Sequence, residues 1–175
     1  AGSELMFGQG TLVHQRTLKG TRSVIVMRGG QYATNGVLDI VAGHLAEAGI
    51  EWTVFDGVEP DPKFASVRAG AEVMKQYRPD LIIALGGGSA MDAAKAMWVY
   101  YEHPELTELA DILPPKRIPP LRQKARMVCI PSTSGSASEV SRSIVITDDV
   151  TGIKYGIGDM EMMPDIAICD PVVTV

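Results

Sequence analysis

Cysteine, histidine and aromatic residues are scarce in this sequence, and each scarcity removes a class of protein. The two cysteines, Cys129 and Cys169, sit inside apolar, strand-like runs. They read as buried thiols of a reducing compartment, not as the framework of a disulfide-stapled secreted domain. The three histidines, His14, His44 and His103, share no metal-ligand spacing with one another or with a carboxylate cluster, which argues against a metal held by this chain alone. There is no G-x-S-x-G elbow, so a catalytic serine is not expected. No apolar run approaches the roughly 20 residues that a bilayer-crossing helix needs, and no signal-like start is visible. The expectation is a cytoplasmic protein with no membrane partner. Basic residues are outnumbered, giving a net charge of −5, which argues against a nucleic-acid partner, since such binders normally carry a basic face.

What is present is an ordinary core. Hydrophobic residues make up 46% and charged residues 21%, enough to pack one α/β domain and too apolar for disorder. Ser23 to Met27 (SVIVM) is an unbroken β-branched run, the pattern of a strand buried on both faces. Val37, Leu38, Val41, Leu45 and Ala48 then recur at helical spacing from Gly36, and Gly49 ends the helix. Trp52 to Phe55 is the next strand, and Asp56 to Pro62 (DGVEPDP) a loop, because its prolines deny backbone donors. Phe64 to Tyr77 is helical. Leu81 to Leu85 (LIIAL) is a second buried strand, followed by Gly86-Gly87-Gly88-Ser89 and a helix from Met91 to Tyr101. A proline-rich excursion over Pro114 to Pro120 leads to a strand at Arg126 to Ile130 and a small-residue loop. Ser143 to Thr147 and Ile153 to Ile157 flank a glycine turn and read as a hairpin. Asp165 to Cys169 is the last strand. Alternating strands and helices followed by a hairpin predict a doubly wound, Rossmann-like parallel sheet with an antiparallel addition.

In such sheets ligands bind beyond the carboxyl ends of the strands. Three stretches of small residues fall there: Arg28-Gly29-Gly30, Gly86 to Ser89, and Ser132 to Ser138. Consecutive glycines are costly to order. One reason for them is a phosphate approaching bare backbone at a helix start; the other is a tight turn that binds nothing. The triplet is neither a G-x-G-x-x-G nor a Walker loop. The third stretch supplies five hydroxyls in Ser132-Thr133-Ser134-Gly135-Ser136-Ala137-Ser138, which suit phosphate, ribose or amide groups and equally suit a helix-capping surface loop.

Taken together the motifs resemble the iron-containing, metal-dependent alcohol dehydrogenases. Phe7-Gly8-Gln9-Gly10, Val58-Glu59-Pro60-Asp61-Pro62, Gly86 to Ala96, Ile130 to Val140, Val145 to Lys154 and Pro164 to Pro171 follow that family's signatures in order along nearly the whole chain. The resemblance implies a dehydroquinate-synthase-like N-terminal domain over 1–175 that binds NAD or NADP. By motif matching it assigns the pyrophosphate to Gly86, Gly87, Gly88 and Ser89, with Asp92 in the same motif. Thr133 and Ser136 lie along the pyrophosphate and nicotinamide side. Asp61 falls near the cofactor, and Lys154 near the nicotinamide ribose. On spacing alone, Lys154 is a hairpin charge in solvent.

Two departures modify the expectation. Many members carry an aspartate straight after the strand that here spans Ser23 to Met27; this chain has Arg28-Gly29-Gly30. A carboxylate there repels a 2′-phosphate and an arginine pairs with one, so NADP is favoured over NAD. An Arg28 turned to solvent leaves the choice open. The R-G-G…N-G run through Gly36 also resembles the branch containing bacterial butanol dehydrogenases. Second, the family's iron or zinc ligands, one aspartate and three histidines, belong to an all-helical second domain. That domain begins after the D-P motif and is expected to be absent from this chain. No histidine here matches a ligand motif. The expected activity is hydride transfer between NAD(P)H and an alcohol/aldehyde pair by the parent enzyme, with the isolated chain inactive. The rival is a stand-alone nucleotide-binding or assembly module. Homodimerisation is an expectation of the resemblance only.

Overall fold

The computed structural model describes residues 4–7, 20–29, 36–131 and 143–169. Eight strands and three α-helices follow one another along them. In chain order they are β1 (Glu4–Phe7), β2 (Arg22–Arg28), α1 (Val37–Glu47), β3 (Glu51–Val58), α2 (Phe64–Tyr77), β4 (Leu81–Gly86), α3 (Gly88–Glu102), β5 (Arg126–Pro131), β6 (Ser143–Thr147), β7 (Lys154–Gly158) and β8 (Ile166–Cys169). Six strands form one sheet in the order β1-β8-β5-β4-β2-β3, and β6 and β7 form a separate pair. Every pairing in the large sheet is parallel, and β6–β7 is antiparallel. The expected α/β class with an added hairpin is therefore observed.

The unbroken apolar runs work as anticipated. Along β2, Val24 and Val26 face a core built with α2, α3 and the hairpin, while Ile25 and Met27 face a second core under α1. β4 divides the same way, Ile82 and Ala84 to one side and Leu81, Ile83 and Leu85 to the other. A strand with solvent on neither face has no use for polar alternation. α1 ends as anticipated, with Gly49 at φ 75° just past Ala48, a left-handed position that suits glycine.

Two boundaries differ from expectation by more than one residue. β3 continues through Asp56 and Gly57 to Val58 instead of stopping at Phe55. It is an edge strand, and its register against β2 shifts between Val26 and Arg28. Such a bulge lets turn-prone residues stay paired, and only the prolines at 60 and 62 end it. α3 begins at Gly88, three residues ahead of the anticipated Met91. The glycine triplet is thus divided: Gly86 closes β4, Gly87 is the N-cap and Gly88 is the first helical residue.

Candidate functional site

β2 lies between β3 and β4. The chain leaves β2 through α1 to reach β3 on one flank, then crosses back and returns as β4 on the other. α1 covers one face of the sheet and α3 the opposite face. The connections leaving β2 and β4 therefore diverge, and such a reversal opens a crevice at the carboxyl edge. Val26 pairs with Ala84, so Arg28 and Gly86, two residues further on, end their strands side by side. Two of the three small-residue stretches meet at this switch point. The third, with Thr133 and Ser136, lies outside the described residues, as does Gly30.

The α3 end of the crevice suits an anion. Gly87 caps the helix without any side-chain acceptor, and the first turn carries no acidic residue. Its own first turn therefore offers no carboxylate to its leading N–H groups and the positive end of the helix dipole. Gly86 has φ 130°, a conformation that L side chains rarely adopt, whereas a methyl group added at Gly88 would meet no atom of the protein within 4 Å. Backbone conformation explains the glycine at 86. It does not explain the one at 88, where bare backbone faces open space. Gly29 has a different cause: a Cβ there would come within 2.9 Å of the Asp56 carbonyl oxygen, so the bulged approach of β2 and β3 requires it.

A second wall comes from the loop after β3. The Ser89 hydroxyl donates to the Pro60 carbonyl, tying the start of α3 to this loop. The Glu59 carboxylate accepts from the Lys63 N–H at 3.1 Å and from the Ser66 hydroxyl at 2.8 Å, which fixes the loop against the first turn of α2. Lys154, opening β7, sits 3.4 Å from the Asp61 carboxylate. Sequence spacing left Lys154 in solvent; the fold brings it to Asp61 across 93 residues. Both side chains are more than half exposed, so the pair adds little stability. Its interest is its place, in the loop that Ser89 ties to the start of α3.

The family model described as "Iron-containing alcohol dehydrogenase" matches residues 2–171. The chain belongs to that family. An NADPH-dependent butanol dehydrogenase of Clostridium saccharobutylicum is 50% identical over 167 residues, covering 95% of this chain and 43% of its own length. The iron-containing alcohol dehydrogenase of Thermococcus thioreducens superposes with a TM-score of 0.88 at 32% identity, over 98% of this chain and 46% of that one. The NADH-dependent butanol dehydrogenase A of Thermotoga maritima gives 0.84 at 28% identity, over 98% and 43%. The chain thus spans less than half the length of the relatives it matches.

Within this iron-containing alcohol dehydrogenase chain, Asp92 faces the hairpin. Its carboxylate accepts from the Val145 N–H at 3.1 Å. Burial raises its pKa to about 6, against the opposing influences of that N–H and of the Lys95 ammonium. Arg28 is half-buried at the end of β2. The iron or zinc implied by the resemblance does not fit the described residues, because no three His, Cys, Asp or Glu side chains among them come together as a metal-binding group. His44 lies on α1 and His103 caps the far end of α3; His14 lies outside the described residues. No helix among these residues is long and apolar enough to cross a membrane.

Sequence reasoning did not single out Glu59 or Asp149. Glu59 had a local signal, a carboxylate four residues before the N-cap of α2. Asp149 had none: its oxygen accepts from the Ala65 N–H at 2.8 Å, 84 residues away.

Proposed function

We propose that this chain is the coenzyme-binding part of a longer iron-containing alcohol dehydrogenase, and that it binds NADP(H) in preference to NAD(H). The observation that carries the reading is the open space in front of Gly88 at an uncapped helix start. A diphosphate there would receive the N–H groups of Gly88 and its neighbours and the helix dipole. Arg28, ending its strand beside Gly86, supplies a guanidinium for a 2′-phosphate. The 50%-identical relative named as NADPH-dependent agrees with that choice. When bound, the coenzyme supplies or accepts a hydride. The chain's own groups hold and orient it: Gly86, Gly87, Gly88 and Ser89 at the diphosphate, Thr133 and Ser136 alongside, Asp61 and Lys154 at the mouth.

The test is a titration of the chain with NADPH and NADH, followed by the emission of the reduced coenzyme. Tryptophan emission is a poorer probe, since Trp52 opens β3 at the opposite edge and Trp98 is fully buried. NADPH should bind more tightly than NADH. Gly88→Ala should not lower thermal stability, because its methyl meets nothing beyond its own helix and chain neighbours and alanine favours the helix, yet should weaken NADPH binding by roughly tenfold or more, as expected for lost contacts to a charged group. An unaltered affinity in that variant would refute the diphosphate assignment.

The reaction itself belongs to the longer protein. The described residues gather no metal-binding group, which supports a metal held outside them, where it would polarise the alcohol oxygen. The purified chain, given NADPH, butanal and added ferrous or zinc ion, should oxidise no more coenzyme than a metal-free control. Sustained turnover would overturn that statement.

A further inference from the structure

The hairpin that carries Lys154 is not part of the main sheet. Two carboxylates fasten it there. Asp92 of α3 accepts from the Val145 N–H in the middle of β6. Asp149, in the turn between β6 and β7, accepts from the Ala65 N–H in the first turn of α2. A backbone bond from the Thr147 N–H to the Pro62 carbonyl, 2.9 Å, lies beside the second fastening.

α2 needs that second carboxylate. Its N-cap is Lys63, whose side chain offers no acceptor and whose charge opposes the helix dipole, and its first turn has no acidic residue. A helix with such a start leaves its leading N–H groups without partners. Glu59 serves the Lys63 N–H from the preceding loop. Asp149 serves the Ala65 N–H from the hairpin, so one carboxylate caps the helix and seats the hairpin tip at the same time. The turn itself is shaped by a different residue, Asp148, which accepts from the Val150 and Thr151 N–H groups at 2.8 and 3.1 Å. The Asp149 side chain is therefore available for the long-range contact.

Lys154 opens β7 five residues after Asp149 and pairs in register with Thr147. Its ammonium reaches Asp61, in the loop that leads into α2. The hairpin tip and this loop thus meet at two points, Asp149 on Ala65 and Lys154 on Asp61. The first has the better hydrogen-bond length, 2.8 Å against 3.4 Å, and joins a carboxylate to a helix N-terminus, where the dipole favours it. The weaker contact follows the stronger.

We infer that Asp149 is a positioning residue for the coenzyme site, holding Lys154 at the mouth of the crevice by seating the hairpin tip on the N-terminus of α2. The inference rests on the proposed coenzyme site, and its test separates the two. NADPH affinity is measured for the wild-type chain, Asp149→Ala, Asp149→Asn, Lys154→Met and the Asp149→Ala/Lys154→Met double variant, together with amide hydrogen exchange over 144–157. Asp149→Ala should speed exchange in the hairpin and weaken NADPH binding roughly three- to tenfold, the range of a charged cap at a helix start. Asp149→Asn, which keeps an acceptor oxygen, should stay within about twofold of wild type. In the Lys154→Met background the Asp149→Ala change should have little further effect, since coupled positions are not additive. An equal loss in both backgrounds would mean a structural role unrelated to Lys154, and no loss at all would mean no role; either overturns the inference while the coenzyme site stands. A wild-type chain that binds neither NADPH nor NADH would refute the site, and the inference would fall with it.

Discussion

Asp92 occupies an uneasy position for a carboxylate, one turn into α3 and half-buried under the hairpin. Desolvation dominates, raising its pKa from an ordinary 3.8 to about 6 despite the Val145 N–H and Lys95. The folded chain therefore holds this proton more tightly than the unfolded chain does. The stabilisation from that difference is complete below about pH 3.8 and is lost as the pH rises through about 6. Asp92→Asn keeps an acceptor for Val145 and removes the buried charge. It should add about 1–2 kcal/mol at pH 8, after allowance for partial solvent screening, and nothing at pH 4. Urea denaturation at the two pH values measures this. An equal gain at both would show that the charge is not the cause. At the same scale, Gly29 and Gly88 carry different meanings. One is bare because a carbonyl presses on it, the other although the protein leaves space in front of it.

At the scale of elements, α3 joins the site to the rest of the molecule. Its N-terminus faces the crevice; its C-terminus ends in Glu102, a carboxylate where the helix dipole disfavours one. The compensation is local. Glu102 is 5% exposed and accepts from the backbone N–H groups of Gln123, Lys124 and Ala125, each at 2.9 Å. Trp98, one turn earlier, donates from Nε1 to the Ala125 carbonyl at 3.1 Å and carries the Arg122 guanidinium over its ring at 4.7 Å. Arg122 in turn holds Asp165 at 2.6 Å, just ahead of β8. The helix thereby grips the segment entering β5 at the edge away from the coenzyme site. Glu102→Ala would leave a buried amide at Ala125 without its acceptor and should cost about 2–3 kcal/mol. A shift of the urea midpoint, read against an unchanged slope, gives the value. A loss below about 0.5 kcal/mol, the range of an ordinary surface substitution, would mean that water replaces the carboxylate.

At the scale of the whole molecule, the site arises from the order of strands. Placing β3 and β4 on opposite flanks of β2 makes the loops after β2 and β4 part company, the arrangement that opens a crevice at the carboxyl edge of such sheets. The loops then specialise it: bare backbone after β4, an arginine after β2, a loop–hairpin contact beside them. The N-terminal strand β1 lies at the sheet edge against the last strand, β8. Phe7, which opens the first motif, is thereby paired with Cys169 of the last.

The sequence by itself determined the element types and the candidate phosphate loop, because strand burial on both faces, helical spacing and glycine placement are local properties of the chain. Val24 to Met27, Phe64 to Tyr77 and Leu81 to Leu85 were legible on that basis, as was a glycine turn between β4 and α3, but not the division of its three glycines between strand, cap and helix. Only the tertiary structure decided the length of β3, the pairing of Lys154 with Asp61, the engagement of Asp92 with Val145 and the capping of α2 by Asp149. Each of these joins groups separated by tens of residues or depends on an edge strand's neighbour. No local pattern encodes such contacts, since their free energy is realised only when the sheet order brings the two ends together.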